Sequence, residues 1–308
     1  MAATTQLALP TRAASPLALW HLLSLDAPTV AALWTLFLAR ASGVHLPIAA
    51  PAAMALAVWI LYAADRILDA RILDGRLLDA RSNRSATHSS DLEARHYFHH
   101  CHRRAFLIGI AFTAALLATL LPRLDPTALR LYLAEGVLLA AWFLILHATP
   151  SAHRLPKEIA VGLFFSAAVF IPTIARAPAL RPSLVPAAIL LAALCSLNCL
   201  FIYKWEHTDA KREHPSRSLV TPNAKLAHAT TRLALAHLSA LTITLAIAAA
   251  ALALLHTATP RPIPAAIALS TVFLLALDRS CTHLVPTHLR AAADLALLTP
   301  LLLLPFTR

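Results

Sequence analysis

The sequence predicts an all-α, polytopic integral membrane bundle of about nine transmembrane helices. Composition is the first reason: of 308 residues, 59% are hydrophobic and 13% charged, about half the charged share of a soluble domain. The second is the recurrence of apolar runs of roughly 20 residues, the length that crosses a hydrocarbon core. The third is their texture. They are continuous rather than alternating, which excludes a closed β-barrel and leaves helices as the way to pair every backbone group in lipid. Ala and Leu dominate and there are only five Gly, which favours helix further.

Taken in order, residues 16–25 read as an interfacial segment, with Trp20 and His21 suited to the headgroup region. The first 15 residues lack a charged start followed by an apolar core, so the first span is expected to remain as an anchor. Asp26 with Pro28 makes a helix start, and spans are expected at 26–43, 47–64, 105–122, 130–148, 157–175, 183–203, 232–255, 262–278 and 288–305. Pro122, Pro182 and Pro260 mark turns between them. Two connections, 65–104 and 204–231, are long, and none carries a separate domain, so one domain is expected.

Of the 26 Lys and Arg residues, 19 fall on the side of the N-terminus and 7 on the other. The positive-inside rule then places the N-terminus and both long connections in the cytoplasm and the C-terminus outside, as expected for a protein of the cell inner membrane. The net charge of +11 sits in basic segments beside apolar spans. That placement serves topology and lipid headgroups rather than nucleic acid. Thirteen of the fifteen acidic residues, all but Asp125 and Glu135, gather at the cytoplasmic ends. Topology does not require this; a cation-binding cytoplasmic face does. Cys101, Cys195, Cys199 and Cys281 follow no zinc spacing and read as reduced thiols.

The first long connection opens with a period-five repeat, in which Asp65, Asp69, Asp74 and Asp79 alternate with Arg66, Arg71, Arg76 and Arg81. On a helix, Asp65 and Asp69 share a face with their carboxylates about 6 Å apart. That spacing suits a hard cation such as Mg2+, which takes few carboxylates plus substrate phosphates. The same residues also fit an interfacial helix whose Asp and Arg side chains pair with one another. The second connection carries Glu206 and Asp209, a candidate second cation pair, among Lys204, Lys211, Arg212 and Arg217, which suit phosphate oxygens. A solvated, mixed-charge loop has this composition too.

Two acidic clusters in matching places, each after an apolar span and each opening a long cytoplasmic stretch, resemble the UbiA superfamily of intramembrane prenyltransferases. The likeness covers roughly residues 16–305. Members place one Asp-rich motif after the second helix and another after the sixth. The first has the form NxxDxxxD; here Asp65 and Asp69 match and Tyr62 stands in place of the Asn. The second usually reads DxxxD followed by a basic stretch; here Glu206 and Asp209, three apart, precede Ser216-Arg217-Ser218-Leu219. The resemblance implies a UbiA-like fold and Mg2+ held by Asp65, Asp69, Glu206 and Asp209. It implies an isoprenyl diphosphate bound by Lys204, Lys211, Arg212 and Arg217, and transfer to a lipid-soluble, often aromatic, acceptor. Tyr62, Asn198 and Tyr203 are the candidate pocket residues. The altered second motif equally suits a non-catalytic lipid-binding or structural protein on the same scaffold. A small-solute transporter would instead show related halves with interrupted helices, a repeat the sequence does not display.

Other polar residues fall near the same face. Lys157 and Glu158 start the fifth span, Asn198 lies beside Cys195 and Cys199, and Asp278 and Asp294 are expected at the interface. Glu135 lies within a span and needs a partner. The stretch from His96 to His102 reads either as an interfacial aromatic-basic segment or as a transition-metal site, since His96 and His100 share a helical face.

Overall fold

The computed structural model describes residues 16–82, 98, 101–148, 157–213, 229–255, 258–281 and 286–307. Within helices, side chains are not described for 18, 69–82, 146–148, 206–213, 229 and 286–287. Among the described residues there is no strand. Twelve helices follow in chain order. They are α1 (Pro16–Leu22), α2 (Asp26–Ala41), α3 (Ala49–Ser82), α4 (Arg103–Leu120), α5 (Pro126–Ala148), α6 (Lys157–Arg176), α7 (Arg181–Glu213), α8 (Ala229–Ala236), α9 (Leu238–Leu254), α10 (Pro262–Ser280), α11 (Pro286–Ala296) and α12 (Pro300–Leu303).

Seven segments are long and apolar enough to cross a membrane: Ala49–Leu68, Arg103–Arg123, Pro126–Ile145, Lys157–Arg176, Pro178–Trp205, Pro262–Ser280 and His288–Phe306. The bent pair α8–α9 makes an eighth if counted as one span. The set is compatible with a multi-pass integral membrane protein. Helix α2 has 16 residues, about 24 Å of helix, short of a full hydrocarbon core.

Two sequence expectations need correction. Residues 65–82 and 204–213 are not loops, because α3 and α7 continue through them. Arg66, Arg71 and Arg76 each precede an Asp by three positions, a spacing that supports helix. The run expected at 232–255 bends by 78° between α8 and α9, where His237 departs from helical geometry (φ −113°, ψ 17°). The last expected span stands as the candidate segment His288–Phe306, within which α11 gives way to turns after Ala296 because Pro300 has no N–H to continue the ladder. The His21 side chain is buried against the bundle.

Helices α6 and α7 form the most intimate pair, and α2, α9, α10 and α11 surround them. Gly162 makes the close approach possible: a Cβ there would collide with the Ala192 carbonyl and Ser196 Oγ on α7. Ser166 Oγ donates to the Ala188 carbonyl across the same seam (2.8 Å). Small and hydroxylated residues at a helix seam are what association in lipid requires, since apolar tails compete with apolar side chains. The core is capped by Trp34, Phe37 and Phe201, all fully buried. Trp34 Nε1 donates to the Leu297 carbonyl at the α11–α12 break (3.0 Å), giving that exposed ladder group a partner.

By contrast α4 and α5 lie outside, with only 6% of each span buried against 50% for those of α6 and α7. Between α5, α6 and α7 an apolar groove of about 880 Å³ runs along α6 from Ile159 to Ile174, with Trp142 and Phe164 on its walls.

Candidate functional site: a buried polar centre

Helix α1 turns back on α2 through a left-handed residue, Ser24 (φ 56°). The Leu25 N–H reaches the Trp20 carbonyl (3.0 Å) and the Ser24 N–H reaches that of His21 (3.0 Å), the paired bonds of a Schellman motif. Gly43 ends α2 with the same pairing, its N–H to Arg40 and that of Val44 to Ala39. The α1–α2 turn brings His21 Nδ1 within 2.6 Å of Asp26 Oδ2. Asp26 Oδ1 accepts the Ala27 N–H (3.0 Å), and Arg66 Nη2 of α3 lies 3.9 Å from Asp26 Oδ2.

The fourth wall comes from α11, where Asp294 lies alongside Asp26. One ligand atom each from His21, Asp26 and Asp294 falls within 4.8 Å of the other two. On α7, Asn198 Nδ2 donates to Asp294 Oδ1 (3.2 Å). Tyr62 of α3 and Cys199 of α7 neighbour the same carboxylate. His21, Asp26, Arg66 and Asn198 are each at least nine-tenths buried. Two carboxylates in an apolar bundle repel unless cations or protons lie between them; Arg66 supplies a cation and the His21–Asp26 contact a hydrogen.

The expected site residues divide around this centre. Tyr62 and Asn198 are brought together at it. Asp65 is on the exposed face of α3, one residue before the buried Arg66. Asp69, Glu206, Asp209, Lys211 and Arg212 have helical backbones in α3 and α7, but their side chains lie outside the described residues. Arg217 and most of the stretch around His96 lie outside the described residues altogether. Lys204 is bound by both oxygens of Asp278 at the end of α10 (2.8 Å each), and Trp205 Nε1 donates to the same carboxylate (2.9 Å). Tyr203 is half-buried. Glu158 receives Thr231 Oγ1 (3.4 Å). Glu135 lines the apolar groove. The four cysteines are free thiols.

Asp294, expected at the interface, packs beside Asp26 and Asn198. His21, Asp26, Arg66 and Asp294 were not singled out as site residues by sequence. One signal was available for Asp294, since an acidic residue inside an apolar span marks a functional position by default. No family model, no curated protein and no solved structure matches the chain.

Proposed function

We propose that this is a UbiA-like intramembrane prenyltransferase of the cell inner membrane. It spans the bilayer nine times when α2 and the α8–α9 pair are both counted, with the N-terminus cytoplasmic and the C-terminus outside. It transfers an isoprenyl group from an isoprenyl diphosphate to a lipid-soluble acceptor at the cytoplasmic face. One observation carries this reading. Tyr62 of α3 and Asn198 and Cys199 of α7, the two helices that bear the acidic motifs, lie around the same Asp294 carboxylate, and both helices continue beyond the apolar bundle from there.

The donor chemistry at the α3 end fits Mg2+. Asp65 is exposed, an accessible carboxylate of the kind that a hydrated Mg2+ takes without losing most of its waters. Asp65 and Asp69 from α3 would hold the ion, with Glu206 and Asp209 from α7. Bound there, it neutralises the diphosphate and improves it as a leaving group. Lys211, Arg212 and Arg217 supply further cations to the phosphate oxygens. The groove beside Ile159, Trp142 and Phe164 offers the tail an apolar path that starts near the Glu158 end of α6.

A second reading, a non-catalytic lipid-binding protein on the same scaffold, is favoured by Lys204. Its ammonium is already engaged by Asp278 rather than left to a diphosphate. Turnover separates the two. Purified protein with a labelled isoprenyl diphosphate and a panel of acceptors should consume the donor only with Mg2+. Asp65→Asn and Asp69→Asn should each lower the rate about 100-fold, the loss expected when a leaving-group charge loses its metal. Donor or lipid binding without Mg2+, without turnover and without response to either substitution would leave the non-catalytic reading standing.

A further inference from the structure

The buried centre has a surplus of acceptors. Asp26 and Asp294 bring two carboxylates and His21 an imidazole, with one ligand atom from each inside a 4.8 Å span. Beside them Asn198 Oδ1 is buried and accepts no hydrogen bond. The orientation of that amide follows from its neighbour: Nδ2 must face Asp294 Oδ1, because turning it would set oxygen against oxygen. A ring of oxygen and nitrogen lone pairs, three of its four side chains anchored on α2, α7 and α11, is the environment of a cation rather than of an anion or an apolar ligand.

We propose that His21, Asp26 and Asp294, with Asn198 Oδ1 adjacent, form a binding site for a first-row divalent transition ion of the Zn2+ or Mn2+ kind. The site is separate from the exposed Asp65, and it does not depend on isoprenyl transfer being the activity. An imidazole nitrogen among carboxylates selects such ions over Mg2+, which prefers oxygen and retains its waters. The two carboxylates balance the charge of the ion. Arg66, whose Nη1 is buried without an acceptor, then calls for an anionic further ligand, hydroxide or a substrate oxyanion. Binding requires a small rearrangement. His21 Nδ1 and Asp26 Oδ2 are 2.6 Å apart, whereas ligands of a tetrahedral ion with bonds near 2 Å sit about 3.3 Å apart. A side-chain rotation therefore lets the ion take the place of the hydrogen between them, as metal binding displaces protons from its ligands.

The test is thermal unfolding of the full-length protein in micelles with ZnCl2, MnCl2 or MgCl2. The background replaces His96, His99, His100 and His102 by alanine, so that the separate histidine tract cannot respond. Zn2+ or Mn2+ at a hundredfold excess over Kd should raise Tm by about 5 °C or more, and MgCl2 should not. Asp294→Asn should abolish that rise while leaving the metal-free Tm no lower than that of the background, because it removes one of two neighbouring carboxylates and keeps the shape. The opposite signs of the two effects separate lost binding from lost folding. No rise with either transition ion overturns the proposal. So does an equal rise with MgCl2, or a rise that survives Asp294→Asn.

Discussion

Two helical pairs of similar hydropathy take opposite places in this molecule. The spans of α4 and α5 have mean hydropathies of 2.2 and 1.7, those of α6 and α7 have 1.9 and 2.3, yet 6% of each outer span is buried and 50% of each inner one. Hydropathy finds helices that cross lipid; it does not say which of them lipid surrounds. The difference lies in the small and polar residues. Gly162 and Ser166 put a tight, hydrogen-bonded seam on the inner pair, and Asn198 ties α7 to Asp294 of α11. Gly136 on α5 has nothing within 4 Å of a Cβ position, and Thr119 on α4 bonds only its own helix, at the Leu116 carbonyl (2.7 Å). In a solvent as apolar as the side chains, packing and interhelical hydrogen bonds decide the interior.

The widest predicted contrast is between the two glycines. Gly162→Ala should cost about 3 kcal/mol, because the Ala192 carbonyl is backbone and cannot give way, so α6 and α7 must separate. Gly136→Ala should stay within about 1 kcal/mol of the parent and on the stabilising side, as a helical glycine replaced in open space. SDS-titrated unfolding measures both. A comparable loss at Gly136 would break the contrast and mean that the outer pair is packed against protein.

A hydroxyl pair sharpens it. Ser166→Ala removes an interhelical bond and should cost about 1 kcal/mol, whereas Thr119→Val should change stability by less than about 0.5 kcal/mol. Equal effects in the same unfolding assay would argue that the Ser166 bond contributes nothing to the seam. A loss smaller than that at Ser166 is expected at Tyr132, whose hydroxyl donates from α5 to the Ala168 carbonyl on α6 (3.3 Å). Tyr132→Phe should cost about 0.5 kcal/mol, enough to show whether that single polar contact ties the outer pair to the core. A loss above about 2 kcal/mol would show the pair to be coupled far more tightly than its burial suggests.

The spans were legible because length and apolar content are properties of a run, and a bilayer demands both. The extension of α3 was partly legible in its Arg–Asp spacing, which was read on a helix but assigned to the connection after the span. The bend at His237 carries no proline or glycine to announce it, while Pro300 does announce the break that ends α11. The polar centre was hidden for a different reason. Its members come from α1, α2, α3, α7 and α11, and their meeting depends on how each helix is rotated about its axis. Adjacent residues point about 100° apart on a helix. That rotation turns Arg66 inward and leaves Asp65, the residue favoured by its motif, on the exposed face. Likewise Asp26 was legible as the helix start that it is and Asp294 as an acidic residue near a span end, but neither reading says that the fold sets the two side by side.

The account rests on α7 and α11 meeting at that centre, and cysteine cross-linking in native membranes tests the meeting directly. In a background with the four native thiols removed, Asn198→Cys and Asp294→Cys together should form an intramolecular disulfide under mild oxidation, because the side chains they replace touch at 3.2 Å. The pairing of Asn198→Cys with Gly136→Cys, which places the second thiol on the outer helix, should not. A cross-link that fails to form between positions 198 and 294, in protein that inserts and stays folded, would contradict the buried centre.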